Sequence, residues 1–260
     1  MIISQVSKKT YFFLLVLLAL IIYSAFGIDY SSLSTFSLAM GREVVQGLAH
    51  PDWHYLYDGS GEDLLSLLVL TIGIAFLGTF IATILALPLT LFSSSNLWQN
   101  HPWIAKIGKF ICNVLRAFPE LVYAIIFVKV VGPGPFAGVM AIGVHQIGML
   151  GKLFTEEAEG MDEALIEDAA AIGANFWQIV FSVRIPHLLP IYSSLALNHF
   201  EIAVRSAATL GLVGAGGIGA PLIFAIQTRS WNRVSIILLG VVVTVFILDL
   251  FTGWIRRKLR

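Results

Sequence analysis

The stretch LLSLLVLTIGIAFLGTFIATILALPLTLF, residues Leu64–Phe92, holds no charged side chain and no alternation of apolar with polar positions. A bilayer core needs about 20 apolar residues in a helix that rises 1.5 Å per residue, so this run reads as a membrane-crossing helix. A backbone facing lipid must satisfy its own hydrogen bonds, which leaves helices or closed barrels. The missing period-two pattern excludes the barrel. Outward from this run, the same character recurs in Tyr11–Ile28, Lys109–Val131, Phe136–Phe154, Leu188–Leu212 and Val234–Ile255. The expectation is an all-α integral membrane protein with about six transmembrane helices.

The composition agrees. Of 260 residues, 57% are hydrophobic and only 12% charged, whereas a soluble domain carries about a quarter charged residues. An ordinary cytosolic enzyme and a disordered chain are thereby excluded. Sixteen basic residues balance sixteen acidic ones, so no basic face is available and no nucleic-acid partner is expected. The one cysteine, Cys112, rules out an intrachain disulfide and Cys-based zinc or redox pairs.

Lys8 and Lys9 precede the first run, and Ser24-Ala25-Phe26-Gly27 makes a poor cleavage site, so an uncleaved first helix is expected. With the N-terminus inside, Lys8, Lys9, Lys106, Lys109, Lys152, Arg184, Arg256, Arg257, Lys258 and Arg260 fall on the cytoplasmic side. Only Arg42, Arg229 and Arg233 fall outside. This asymmetry places both termini in the cytoplasm. The organisation expected is a first helix and outer loop over 1–63, then a transmembrane domain over 64–260. Within the outer loop, Phe36, Met40, Val44, Val45 and Leu48 trace a weakly amphipathic piece suited to the membrane surface. His50 and His54 near Asp52 could begin a metal site, but Pro51, Trp53, Tyr55 and Tyr57 favour an interfacial loop, and no metal is expected.

The inner loop, 155–187, carries most of the functional information. Seven acids, Glu156, Glu157, Glu159, Asp162, Glu163, Glu167 and Asp168, interleave with Ala158, Met161, Leu165, Ile166, Ala169 and Ala170 at helical spacing. Gly173-Ala174-Asn175 breaks the pattern. A second short helix with Phe176, Trp177, Ile179, Val180 and Val183 follows, and Pro186 is expected to end it. An acidic run alone is usually a solvated face. Aromatic and aliphatic side chains rimmed by charge mark a docking surface instead.

Glu167-Asp168-Ala169, then Gly173, then Val183-Arg184-Ile185-Pro186 resembles the EAA loop of ABC importer permeases. That pattern reads Glu-Ala-Ala, three residues, Gly, nine residues, Ile-x-Leu-Pro. Asp168 replaces an Ala here, while Val183 and Ile185 are conservative replacements. The resemblance implies the type I permease fold, with Ala169–Phe176 as the helix that couples to an ATPase subunit. The coupling residues it marks are Glu167, Asp168, Ala169, Ala170, Gly173, Ala174, Asn175, Phe176 and Pro186. Three further stretches look like phosphonate-transport permeases: Val131–Val139, Phe200-Glu201 through Val204-Arg205-Ser206-Ala207, and Leu210–Gly219. The resemblance implies an inner-membrane importer of a phosphorus oxyanion, with a second permease copy, two ATP-binding subunits that hold ATP and Mg, and an extracytoplasmic binding protein. A methionine-type importer shares the loop and the glycines, and a passive anion channel is the rival of another class.

Ionisable residues at membrane depth face a pathway or a partner. Here they are Arg116, Glu120, Lys129, His145, His199, Glu201 and Arg205, with Ser206 beside the last. Arg116 with Glu120, and Glu201 with Arg205, stand four apart, so two intrahelical pairs are one reading. The other reading is an anion path in which the Arg205 guanidinium, with Arg116, grips oxygens through its fork. Gly214, Gly216, Gly217 and Gly219 fit G-x-G-x-x-G, but no strand precedes them and Pro221 follows, so a nucleotide site is not expected. They read as a non-helical turn or a close helix approach at the gate. No G-x-x-x-x-G-K-[ST], H-E-x-x-H or G-x-S-x-G occurs, so neither a P-loop ATPase nor a hydrolase is expected from this chain.

Overall fold

The computed structural model describes residues 8–28 and 37–259, and among these every regular element is helical. The helices are α1 (Lys8–Phe26), α2 (Leu38–Ala49), α3 (Leu64–Ser93), α4 (Pro102–Ala117), α5 (Glu120–Val131) and α6 (Pro135–Glu159). They continue with α7 (Glu163–Ala171), α8 (Phe176–Ile179), α9 (Ile185–Leu210), α10 (Gly219–Gln227) and α11 (Trp231–Leu259). Five helical stretches among the described residues are long and apolar enough to cross a membrane: Lys9–Phe26, Leu64–Ser93, Pro135–Glu159, Phe176–Val213 and Trp231–Lys258.

Two compact units result, 1–46 and 47–260. In the first, α1 is apolar all round and exposed along its length, as a helix sheathed in lipid should be. The amphipathic piece of the outer loop is helical as α2; Phe36 lies outside the described residues, as does Arg260. In the second unit, Trp53–Leu56 forms one 3-10 turn whose Tyr55 is buried, with the Arg233 guanidinium 4.5 Å from its ring centre. Burial pushes the Tyr55 hydroxyl above the usual phenol range, and the Arg233 charge opposes this.

The core is the packing of α3 on α6, closed by α5 and α9. Small residues permit it: Ala75, Ala82 and Ala86 of α3, Ala137 and Ala141 of α6, and Ala203 and Ala207 of α9 are buried. A Cβ placed on Gly78 would stand 2.8 Å from Ile142 Cγ2. Close backbone approach of this kind drives helix association where lipid removes the hydrophobic incentive. Tyr192 locks the other end, stacking on Phe154 at 4.2 Å and donating its hydroxyl to the Phe154 carbonyl at 3.0 Å.

Two sequence-based expectations are corrected. The run Lys109–Val131 is not one continuous helix: α4 ends at Ala117 and α5 begins at Glu120. Phe118 is extended (φ −90°, ψ 136°) and Pro119 follows at φ −57°, ψ 143°. Proline lacks the amide that would continue the ladder and disfavours helical geometry in the residue before it. Conversely, Pro186 does not end the second inner-loop helix. That helix runs from Phe176 through a π turn, Val180–Arg184, straight into α9. The wider turn lets the Ile185 amide reach the Val180 carbonyl and accommodates the proline ring.

Candidate translocation and coupling sites

The helix break gathers polar groups in mid-bundle. Ser206 of α9 faces the Glu120 carboxyl at the start of α5, and Glu120 Oε1 is buried without a partner. His145 of α6 sits beside the Phe118 backbone, its ring 6.4 Å from that of Tyr123. Tyr123 caps the end of α4 by donating to the Leu115 carbonyl at 2.9 Å. His199 is buried next to His145, and its carbonyl accepts from Gln146 Nε2 at 3.0 Å. The break therefore supplies the stray carbonyls, and the sequence places side chains where they meet them.

Neither intrahelical pair forms. Arg116 and Glu120 are separated by the break, and Arg116 Nε donates instead to Asn113 Oδ1 at 3.1 Å. Glu201 turns away from Arg205 and pairs with Arg256 of α11 at 2.6 Å, while the Thr252 hydroxyl donates to the same carboxylate oxygen. Arg116 and Arg205 are exposed on the single chain, and among the described residues no carboxylate pairs with either. Thr252 and Arg256 were not singled out in the sequence as site partners. No local spacing signals them, because they lie 51 and 55 residues along the chain from Glu201.

The glycine stretch is both a turn and a close approach. Gly214, Gly216 and Gly217 have φ of 87°, 84° and 77°, a left-handed geometry that side chains resist. Gly219 opens α10, and a Cβ there would strike the Ala208 carbonyl. The turn is buttressed by Gly134 donating to the Gly214 carbonyl at 2.8 Å and by the Ile218 amide donating to Thr71 Oγ1 at 2.9 Å.

At the opposite end, α6 leads into a hairpin of α7 and α8. Asp162 caps α7 by accepting from the Ala164 amide at 3.0 Å. The helix closes with Gly173 at φ 86°, where the Gly173 and Ala174 amides donate back to Ala170 and Ala169. Asn175 then starts α8 with a reciprocal capping box: Gln178 N–H donates to Asn175 Oδ1 at 3.0 Å and Asn175 N–H to Gln178 Oε1 at 2.8 Å. Glu167, Asp168, Ala170, Gly173, Asn175, Phe176 and Pro186 are exposed, with Ala169 and Ala174 half-buried. The structure adds Ile172, 87% exposed at the tip, and an aromatic series running off it, with Phe176 edge-on to Trp177 and Trp177 stacked on Phe181.

Apolar spans around small-residue contacts, interrupted at a polar cluster, define a multi-pass membrane component. Residues 86–260 match the family described as binding-protein-dependent transport system inner membrane component, and the chain belongs to that family. Its relatives include the phosphite transport system permease protein of Stutzerimonas stutzeri, 35% identical over 74% of this chain and 70% of the relative. The phosphate-import permease protein of Mycolicibacterium smegmatis is 32% identical over 78% of this chain, which spans 38% of that protein. Among solved structures, the MetNI methionine ABC transporter in inward-facing form shares the fold, with a TM-score of 0.63 and 21% identity over 86% of this chain and 100% of that one. The chain is thus an inner-membrane transport component of the ABC importer type, working with ATP-binding and substrate-binding partners.

Proposed function

We propose that the chain is the permease of an importer for phosphite, phosphonate or a related phosphorus oxyanion. The observation that carries this is the contrast along α9: Glu201 is buried and neutralised by Arg256, whereas Arg205 one turn later is exposed and pairs with no carboxylate among the described residues. An unneutralised guanidinium on a membrane-spanning helix suits an anionic cargo, and its fork matches tetrahedral oxygens. The names of the similar phosphite and phosphate permeases agree with this class.

In this reading both termini and the α7–α8 hairpin face the cytoplasm. A second, identical copy completes the path, since closed two-fold pairing is the commonest assembly. ATP and Mg are held by two cytoplasmic subunits, whose closure is passed to α9 through the hairpin; Ala169–Phe176 is the contact. The Gly214–Gly219 turn serves as the outer gate. A binding protein delivers the anion to that side, and ATP turnover biases the spans between two states. Arg205, Arg116, Glu120, His145 and Ser206 line the route, with Glu120 tempering the attraction of the two cations.

The test is ATP-dependent uptake of labelled phosphite, phosphonate and methionine into proteoliposomes holding this chain, its ATPase and its binding protein. Uptake of a phosphorus oxyanion and not methionine is expected. Methionine uptake alone would overturn the cargo, and uptake that persists without the ATPase would identify a channel.

A further inference from the structure

A cavity of about 410 Å³ opens between the 94–101 connection and the hairpin, lined by Asn96, Gln99, Asn100, His101, Phe176 and Arg184 among others, and among the described residues by no acidic side chain. Arg184 is only 7% exposed, and its Nη1 is buried without a hydrogen-bond partner. Among the described residues no carboxylate pairs with it. A cation held this way is costly unless something compensates it. Asn96 lines the same cavity, and its Oδ1 is also buried without a partner. The amide cannot be turned to cure this, because its Nδ2 already donates to the Ala158 carbonyl at 2.9 Å. Arg184, which carries an unmet positive donor, and Asn96, which carries an unmet acceptor, therefore line the same cavity.

We infer that this cavity is a binding site for a monoprotonated phosphorus oxyanion, whose P–O⁻ takes the Arg184 guanidinium and whose P–OH donates to Asn96 Oδ1. The amides of Gln99 and Asn100 and the His101 ring supply further polar contacts at the mouth. Sulfate carries the same charge and shape but no proton at neutral pH, so it leaves the Asn96 acceptor unmet. The site is separate from the helix break, where Arg116, Glu120 and Ser206 lie. One wall is the 94–101 connection and the other is the segment Phe176–Arg184, which joins the hairpin to α9. An occupied cavity ties these together, so accumulated product would act on coupling; that regulatory meaning, though not the binding, rests on the import reading above.

Equilibrium dialysis of labelled phosphate against the purified full-length chain in detergent, without partners, tests it. Saturable binding is expected, displaced by methylphosphonate, whose monoanion keeps a P–OH, and not by equal sulfate. Arg184→Gln should weaken it at least tenfold and Arg205→Ala should leave it unchanged. Asn96→Leu should let sulfate compete, a readout that holds even if Arg184→Gln fails to fold. Absence of binding, equal displacement by sulfate, or loss in Arg205→Ala with retention in Arg184→Gln overturns the proposal. Because no transport is measured, its failure is distinct from failure of the import assay.

Discussion

Two prolines meet two membrane-spanning stretches and have opposite effects. At Pro119 the helix stops, the preceding residue goes extended, and polar groups collect around the gap. At Pro186 the helix continues, because the π turn over Val180–Arg184 lies just ahead of it and supplies the extra width. The difference is between an interrupted helix and a continuous one. The break leaves Glu120 Oε1 and His145 Nδ1 unsatisfied inside the bundle, ready for something that arrives. The continuous run Phe176–Val213 joins the exposed hairpin to the helix carrying Arg205 and Ser206.

The comparison breaks most visibly at Arg205. If the region of the break handles cargo, Arg205→Ala should reduce anion uptake by about a hundredfold or more, the scale of about 2.7 kcal/mol of lost charge stabilisation. Because Arg205 pairs with no carboxylate among the described residues, assembly with the ATPase and thermal stability should be unchanged. Unaltered uptake would falsify the assigned role. Glu201→Ala should behave in the opposite way. Removing this carboxylate strands Arg256 and Thr252, and breaking a buried pair costs about 3 kcal/mol. The loss should appear as lower unfolding midpoints in detergent before any change in substrate preference. Equal stability of Glu201→Ala and the parent would mean that the pair is incidental.

How far the sequence revealed this follows from what each signal encodes. Apolar runs report burial in lipid, so Leu64–Ser93 was legible to within one residue, whereas Pro135–Glu159 and Trp231–Lys258 extend beyond the expected Phe136–Phe154 and Val234–Ile255 where polar residues continue the helix. The Gly173 spacing and the turn glycines were legible because positive φ restricts the residue type. Spacing rules for charge pairs assume an unbroken helix, and Pro119 removes that assumption for Arg116 and Glu120. Glu201 found its partner 55 residues away in α11, a tertiary choice that no local pattern carries. The π turn left no mark in composition at all, so Pro186 read as a stop.

The continuous connection can be weakened at its tip. Gly173 has φ 86°, where a side chain costs about 1–2 kcal/mol. Gly173→Asp adds that strain and a further negative charge to a surface already holding Glu167 and Asp168. Uptake should fall about tenfold while phosphate binding by the isolated chain persists. Loss of both would place the damage in folding rather than in coupling.

The smallest effect tests whether α8 must be held at its start. Asn175→Ala removes one half of the capping box, worth about 1 kcal/mol. Because α8 continues through the π turn into α9, fraying should be confined to Phe176–Ile179. Hydrogen exchange of the amides at 176–179 should rise about fivefold, with α9 unaffected beyond Arg184. Exchange that spreads past Pro186 would show that the hairpin and α9 open as one cooperative unit. The run would then be continuous only while its first turn is capped, and the contrast with Pro119 would be one of degree.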